Sequence, residues 1–299
     1  MHVFVTGATG WIGSAVVQQL LANGHGVLGL ARSHSAAASL EQSGAQPLLG
    51  DLDDLDSIRA GADGSDAVIH LANKHDFTDP AASNLAERNA VQAIGEVLSG
   101  SHRPFLVASG VTGVAPGRIV TENDRSNFYG LDSPRGGSEN LALDYAEHGV
   151  DTRIVRFAPT VHGAGDHGFV AALVALAREK GVSGYIGDGS SRWAAIHRND
   201  AGRVVRLGLE HALEPGTVLH AVAEKGIRSR DIAEAIGGGL DVPSTSIPAD
   251  DAWGHFGWLS MFYGMDIPAS SDTTQSALGW EPSEPTLLQD LQDGSYFHN

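Results

Sequence analysis

Three glycines near the start of the chain have the spacing of a phosphate-binding loop. Gly7, Gly10 and Gly13 form a G-x-x-G-x-x-G pattern between an apolar run and a helix-like segment. Glycine at these positions allows a tight turn, a close approach of phosphate to the backbone, and close packing of helix on strand. The N-terminus of the following helix adds N–H groups and a partial positive charge. The pattern predicts a dinucleotide site, and a strand–helix turn without a ligand is the alternative. The expected contacts at this loop are Gly7, Thr9, Gly10, Trp11, Ile12 and Gly13.

The end of the second predicted strand indicates which dinucleotide binds. NAD enzymes usually carry an acidic residue there, which binds the ribose hydroxyls. This chain has Arg32 and Ser33 instead. Arginine can hold a phosphate with two hydrogen bonds, and serine can donate another. We therefore expect NADP(H), while an ordinary solvated arginine is the alternative.

The third and fourth strand ends supply further expected cofactor contacts. Asp51 and Leu52 follow the third strand. The Asp51 carboxylate could meet the adenine amine, or it could cap a helix over residues 52–60. The fourth strand leads into a segment that should pass the diphosphate and ribose, formed by Leu71, Ala72 and Asn73.

Alternating strand and helix patterns over the first half predict an α/β fold with a doubly wound parallel sheet. The predicted strands cover residues 2–5, 26–31, 46–49, 67–71, 105–108 and 152–157. The predicted helices cover residues 11–22, 84–98 and 135–148, then 169–180, 200–213 and 229–236. We expect a dinucleotide-binding domain over residues 1–157. Residues 158–299 should form mainly a smaller substrate-binding lobe, partly interleaved with the sheet.

Composition limits the classes of partner. The chain has 299 residues, of which 42% are hydrophobic, enough for a full core. A formal net charge of −17 disfavours nucleic acid and anionic membranes as partners. The chain has no cysteine, which excludes disulfides and thiolate chemistry. The 14 histidines are scattered without an H-E-x-x-H pattern, so we expect no metal. We see no signal peptide or long apolar span, and we expect a cytoplasmic monomer or homodimer.

Several further segments resemble the extended short-chain dehydrogenase/reductase family. The matching segments are residues 6–13, 50–52, 70–72, 108–110, 156–163 and 197–200. The resemblance implies a Rossmann-like domain, a nicotinamide cofactor and a small C-terminal substrate domain. Members of the family include epimerases, dehydratases and carbonyl reductases.

The resemblance fails at the residues that carry the family's chemistry. That chemistry uses a serine or threonine together with Tyr-x-x-x-Lys on a helix, and the tyrosine passes a proton to the carbonyl oxygen. Ser109 matches the serine, although a simple turn serine is the alternative. Arg135 and Glu139 occupy the tyrosine and lysine positions. Their four-residue spacing predicts that both side chains lie on one face of a helix, where they would form either a functional pair or a surface ion pair.

Another group would have to donate the proton, because arginine holds its own too tightly. Arg135 could still stabilise an oxyanion or bind a carboxylate. Tyr129, just before the predicted helix, could be the donor or a loop anchor. The resemblance also places Pro159 and His162 beside the nicotinamide. His162 could contact cofactor or substrate, or it could be a satisfied loop histidine.

Aromatic residues of the second lobe are expected to line the substrate pocket, with core packing as the alternative. They are Phe169, Trp193, Trp258 and Phe262. Arg192 is the one cation in these segments, which favours an uncharged or cationic organic substrate over a nucleotide sugar. We expect NADPH-dependent reduction of a small ketone, aldehyde or imine. An imine that binds already protonated would need less proton donation. The alternatives are a nucleotide-sugar epimerase or dehydratase and a non-catalytic NADP(H)-binding sensor.

Overall fold

The computed structural model describes residues 1–74, 76 and 78–297, which pack into two units. The first unit contains Met1–Ser109, Arg125–Arg156 and Ala201–Leu219. The second unit contains Gly110–Asp124, Phe157–Asp200 and His220–Asn299. Each unit is therefore assembled from three separate stretches of chain.

The strands are β1 (His2–Thr6), β2 (Gly26–Ala31), β3 (Gln46–Leu49), β4 (Ala67–His70), β5 (Pro104–Gly110), β6 (Asp151–Phe157), β7 (Thr160–His162), β8 (Ser183–Ile186), β9 (Arg192–His197), β10 (Thr217–Ala221), β11 (Glu224–Arg228) and β12 (Ser244–Ile247). The α-helices are α1 (Trp11–Ala22), α2 (His34–Ser43), α3 (Leu55–Asp63), α4 (Pro80–Leu98), α5 (Ser138–Asp144), α6 (Phe169–Lys180), α7 (Arg198–Glu210), α8 (Ser229–Leu240), α9 (Ala252–Phe256), α10 (Ser260–Tyr263), α11 (Asp272–Leu278) and α12 (Leu287–Gln292). Short 3₁₀ helices cover Pro134–Gly137, Tyr145–His148, Ala249–Asp251 and Gly257–Leu259.

A seven-stranded sheet in the order β10-β6-β5-β4-β1-β2-β3 confirms the predicted Rossmann-like α/β class. Strand β1 pairs in parallel with both β2 and β4. The chain thus leaves β1 in one direction along the sheet and returns to its other side. Folds of this kind bind ligands in the crevice at the carboxyl ends of the strands where that order reverses. The topology therefore directs attention to the ends of β1, β2, β4 and β5.

Apolar runs explain why these segments form central strands. Every residue of β4 is buried, and so are four of the five residues of β1. Strands covered by helices on both faces show such continuous runs instead of alternation. Helix α4 contributes Ala90 and Ile94, both fully buried, to the core around Phe105.

Several predicted boundaries were wrong at helix ends. Helix α3 begins at Leu55, and its N-cap is Asp54, whose side chain accepts from Ser57 N. The predicted helix over residues 52–60 with an Asp51 cap is therefore incorrect. Helix α4 begins at Pro80, four residues earlier than predicted, because Asp79 caps it and proline suits a first turn.

The second unit contains two smaller sheets. One has the order β11-β9-β7, with β9 antiparallel to β11 and parallel to β7. The other pairs β12 in parallel with β8. In the described part of the chain, no helix combines the length and the apolar character needed to cross a membrane.

Candidate active site

The loop from β1 to α1 has a shape that only glycine allows. Gly7 has φ +67°, and a Cβ on it would lie 2.8 Å from Ala72 N. A Cβ on Gly13 would lie 1.9 Å from Gly7 O, far inside contact distance. Gly10 N donates to Gly7 O at 2.9 Å, which closes the turn. The loop is thus a backbone cradle with no room for a side chain at positions 7 and 13.

Helix α1 begins directly after this cradle at Trp11. No side chain caps it at Gly10. Thr9 and Gly10 are exposed, and Trp11 and Ile12 are half-buried. A helix N-terminus that a side chain leaves uncapped is suited to a phosphate group. The six predicted loop contacts therefore surround a helix N-terminus of the kind that accepts a phosphate group.

Arg32 stands exposed just after β2. Among the residues that the structure describes, no hydrogen bond or ion pair engages its guanidinium. Ser33 caps α2 by accepting from Ala36 N at 3.2 Å, and its hydroxyl also lies 2.9 Å from Ser35 Oγ. Arg32 is therefore the available cation at this strand end.

The other strand ends converge on the same side of the sheet. Asp51 is exposed and uses Oδ1 to accept from the backbone N–H of Asp53 and Asp54. Its neighbour Leu52 lines a cavity of about 170 Å³ in the first unit. The cavity walls are Leu52, Asp53, Leu55, Lys74, Ala82, Leu85, Ala86 and Asn89. Leu71, Ala72 and Asn73 are half-buried after β4, with Ala72 against the glycine loop.

The predicted helix over residues 135–148 is not continuous. Arg135 has φ +56°, and Gly136 and Gly137 also have positive φ, so three left-handed residues precede α5. Helix α5 begins only at Ser138 and gives way to a 3₁₀ turn at Tyr145. Glycine adopts this conformation easily, whereas arginine does so at a cost of roughly 1–2 kcal/mol. The prediction that Arg135 and Glu139 share a helix face is therefore wrong.

Arg135 pairs with a buried carboxylate on α4. Its Nε and Nη2 donate to Glu87 Oε1 at 2.8 and 2.5 Å. Asn73 Nδ2 donates to the other oxygen of Glu87. The Glu87 side chain is fully buried, and burial raises its pKa while Arg135 opposes that rise. Arg135 thus neutralises a charge inside the first unit.

Glu139 forms a separate network with Ser109. Ser109 Oγ donates to Glu139 Oε2 at 2.5 Å. Arg156 Nε lies 3.1 and 3.2 Å from the two carboxylate oxygens, and its Nη2 lies 2.5 Å from Oε1. Arg156 is fully buried, and Glu139 is nearly so. The serine at the end of β5 is therefore held by a carboxylate that a buried guanidinium balances.

Sequence reasoning missed Arg156 and Glu87 as members of these networks. Arg156 lies in β6, in which residues 152–157 are all buried, and a buried charge requires a partner. That signal was present in the sequence. Glu87 gave a weaker one, because charged residues are common on helices and its inward direction depends on tertiary packing.

The structure places two other candidates differently. Tyr129 is 66% exposed, and no described residue engages its hydroxyl. His162 is fully buried in the second unit, where its Nδ1 lies 2.6 Å from Asp290 Oδ2. Pro159 is half-buried just before β7. The Nδ1 edge of the His162 ring is thus engaged within its own unit.

The four predicted substrate aromatics lie together in the second unit. The Phe169 ring centroid is 5.4 Å from Trp193, 5.7 Å from Trp258 and 5.4 Å from Phe262. Trp193 is fully buried, so it serves as the base of this cluster. Trp258 is 44% exposed, and Phe169 and Phe262 are half-buried. The cluster therefore combines core packing with accessible ring surface.

Cations of the second unit are largely neutralised by acids. Arg192, the exception noted in the sequence, forms a two-pronged pair with Asp266. Carboxylates of the same unit also engage Arg118, Lys225, Arg228 and Arg230. Within residues 1–74, 76 and 78–297, no three His, Asp or Glu side chains converge as a metal site.

Comparison with known proteins relates most of the chain to one family. Residues 3–221 match the model of the NAD dependent epimerase/dehydratase family. An uncharacterized protein of Schizosaccharomyces pombe is 44% identical over 99% of this chain and 100% of its own length. A 4-hydroxy-2-methyl-3-oxo-4-farnesyl-3,4-dihydroquinoline-1-oxide ketoreductase of Stigmatella aurantiaca is 30% identical over 60% of this chain and 56% of its own. UDP-glucose 4-epimerase of Thermotoga maritima, solved with UDP-glucose, superposes with TM-score 0.76 at 20% identity, covering 99% and 98% of the two chains. At that identity the superposition supports the fold alone.

Proposed function

Because the chain belongs to the NAD-dependent epimerase/dehydratase family, we propose that it is an NADP(H)-dependent reductase of a small ketone, aldehyde or imine. The observation that carries the proposal is the Ser109 hydroxyl, held by Glu139 at the end of β5 in the unit that carries the glycine cradle. The Stigmatella relative is named a ketoreductase, which agrees with this reaction class.

The first unit supplies the residues that would hold the cofactor. The cradle of Gly7, Gly10 and Gly13 would hold a pyrophosphate, because it leads into the N-terminus of α1, which no side chain caps at Gly10. The cavity beside Leu52 would accept the adenine, within reach of Asp51. Arg32, with no partner among the described residues, would bind a ribose phosphate, which favours NADP(H) over NAD(H). When bound, the cofactor supplies a hydride.

The second unit supplies the residues that we assign to the substrate. We assign the aromatic cluster of Phe169, Trp258 and Phe262, in which Trp258 is 44% exposed, to the apolar body of the substrate. Arg192 and Lys225 of the second unit are already paired with acids, so they are poor partners for a diphosphate. This argues against a nucleotide sugar as the substrate. The absence of the Tyr–Lys pair argues in the same direction, since epimerases and dehydratases of this family need a base for alcohol oxidation.

The experiment follows NADPH absorbance with purified protein and a panel of ketones, aldehydes and cyclic imines. Substrate-dependent oxidation of NADPH supports the reductase. Binding of NADPH with no turnover across the panel contradicts the reductase and favours a sensor.

Cofactor choice is tested separately by fluorescence titration with NADPH and NADH. Arg32→Ser should weaken NADPH binding roughly ten- to hundredfold, the worth of a hydrogen-bonded charge pair, and leave NADH binding nearly unchanged. Arg59→Ser, which removes a surface cation of the same unit, is the matched control and should alter neither. A wild-type preference for NADH would reject the assignment to Arg32.

A further inference from the structure

We propose that the substrate binds as a protonated imine, a C=N group with a positive charge and an N–H, and that Ser109 Oγ accepts its hydrogen bond. This inference rests on the proposed reductase function and narrows its substrate class. It follows from the hydrogen bond in which Ser109 donates its single hydroxyl proton to Glu139.

The Ser109 proton is already donated within the protein. Its Oγ lies 2.5 Å from Glu139 Oε2, the distance of a strong hydroxyl-to-carboxylate bond. A hydroxyl has one proton and two acceptor lone pairs. While the proton bonds to Glu139, Ser109 offers a ligand only lone pairs.

Arg156 keeps that proton on the serine. Its guanidinium donates to both oxygens of Glu139, with the shortest bond 2.5 Å long. Both side chains are buried. Protonation of Glu139 would leave the buried guanidinium without a balancing charge, which is strongly unfavourable. Glu139 therefore accepts from Ser109 and has no proton to return.

An acceptor at this position suits a protonated imine and opposes a ketone. A carbonyl oxygen only accepts hydrogen bonds, so it would face the lone pairs of Ser109. The N–H of a protonated imine donates to them. One hydride adds to the imine carbon, the C=N π electrons move to nitrogen as a lone pair, and NADPH leaves as NADP⁺. The product is a neutral amine, and no further proton is needed.

The same network disfavours alcohol oxidation, although an alcohol also donates a hydrogen bond. The alcohol proton would have to leave during the reaction, passing to Ser109 as the serine proton moved to Glu139. Arg156 opposes protonation of that carboxylate. A protonated imine makes no such demand on the network, because it keeps its N–H throughout.

The charge of the rest of the chain agrees with a cationic substrate. The formal net charge of −17 attracts cations to the protein. In the second unit, Arg192 and Lys225 are already neutralised by acids.

The test compares a phenyl-substituted cyclic imine with the cyclic ketone of the same ring size and substituent. We expect kcat/KM for the imine to exceed that for the ketone at least roughly tenfold, the worth of one charge-assisted hydrogen bond. The ratio should fall as rising pH deprotonates the imine. Calorimetry on the protein without cofactor supplies a second readout, in which the matching cyclic ammonium ion should bind more tightly than the ketone.

Two variants separate the acceptor from the carboxylate that positions it. Ser109→Ala removes the acceptor and keeps the Glu139–Arg156 pair, so it should lower imine kcat/KM and ammonium binding roughly ten- to hundredfold without changing NADPH affinity. Ser99→Ala is the control, because Ser99 Oγ also donates a hydrogen bond, to Gly95 O of α4. This variant should change none of these values. Glu139→Gln places an amide donor against Ser109 and frees its proton for a carbonyl. It should lower the imine-to-ketone ratio, whereas a purely structural role would lower both rates equally.

The outcomes distinguish this inference from the proposed function. A ketone preferred over the imine overturns the inference and leaves the reductase standing. If neither compound is turned over but Ser109→Ala abolishes binding of the ammonium ion, Ser109 is confirmed as a hydrogen-bond acceptor and the reductase function is contradicted. Equal binding of ammonium ion and ketone overturns the acceptor assignment. Should Glu139→Gln fail to fold, Ser109→Ala decides.

Discussion

Replacing Arg135 with methionine tests whether this residue stabilises the first unit. Methionine keeps the apolar stem but removes the two donors to Glu87 Oε1. Glu87 would remain fully buried with Asn73 as its other bonded partner. Removing one member of a buried pair costs about 3–5 kcal/mol. Because the Arg135 side chain is 31% exposed, solvent screening reduces the expected loss to roughly 2–3 kcal/mol.

The pH dependence of that loss identifies Glu87 as its source. Burial already raises the pKa of Glu87 above its ordinary 4.5, and losing Arg135 would raise it further. A group with a raised folded-state pKa stabilises the protein below its unfolded pKa, and that contribution is lost as pH rises through the folded pKa. The deficit of Arg135→Met should therefore be larger near pH 8 than near pH 5.

Urea unfolding followed by far-ultraviolet circular dichroism at both pH values measures this effect. The double variant Glu87→Met/Arg135→Met removes both charges and should recover to within roughly 1 kcal/mol of the parent. Arg59→Met, at a surface pair, should cost less than about 0.5 kcal/mol. A loss for Arg135→Met below about 1 kcal/mol that is the same at both pH values would refute the reasoning.

Three further predictions concern the first unit. Burial, with a smaller contribution from Arg135, lowers the pKa of His70 to about 3. The unfolded state then binds a proton that the folded state does not, so the free energy of unfolding should fall as pH drops below about 6.5, by up to about 1.4 kcal/mol per pH unit. In urea unfolding, the midpoint of His70→Asn should decline less steeply with falling pH than that of the parent. Gly13→Ala, whose Cβ would stand 1.9 Å from Gly7 O, should abolish NADPH binding in a fluorescence titration, whereas Gly238→Ala, with open space at its Cβ, should not. Tyr129→Phe should keep kcat for the imine within about twofold, because a protonated imine needs no proton donor; a hundredfold loss would assign the proton to Tyr129 and favour a ketone.

The predictions from sequence were most accurate where the signal is local. Strands β2 and β3 and helices α1 and α6 have the predicted bounds. Their apolar runs, turns and caps lie within a few residues of each other, so sequence spacing alone carries the information. The glycine loop belongs to the same class. Its spacing predicted a close approach, and the distance of 1.9 Å from a Gly13 Cβ to Gly7 O shows how close that approach is.

Partners distant in sequence could not be predicted in this way. Glu139 meets Ser109, thirty positions earlier, and Arg156, seventeen positions later. Arg135 meets Glu87 across forty-eight positions. A four-residue spacing suggested that Arg135 and Glu139 pair with each other, but that argument holds only inside a continuous helix. The consecutive residues Gly136 and Gly137 were the local warning that the helix is interrupted there.

The interruption also separates residues 135 and 139, the two positions at which the sequence resemblance expects the Tyr–Lys pair. A continuous helix would present residues 135 and 139 side by side, so that one could tune the other. With three left-handed residues before α5, Arg135 turns to Glu87 while Glu139 turns to Ser109 and Arg156. One position thereby becomes part of the support of the first unit, and the other sets the hydrogen-bonding character of the serine. A tyrosine introduced at residue 135 alone would then point toward Glu87 and away from Ser109. Arg135→Tyr should therefore not raise ketone turnover, and a gain in that rate would mean that the left-handed turn relaxes into helix.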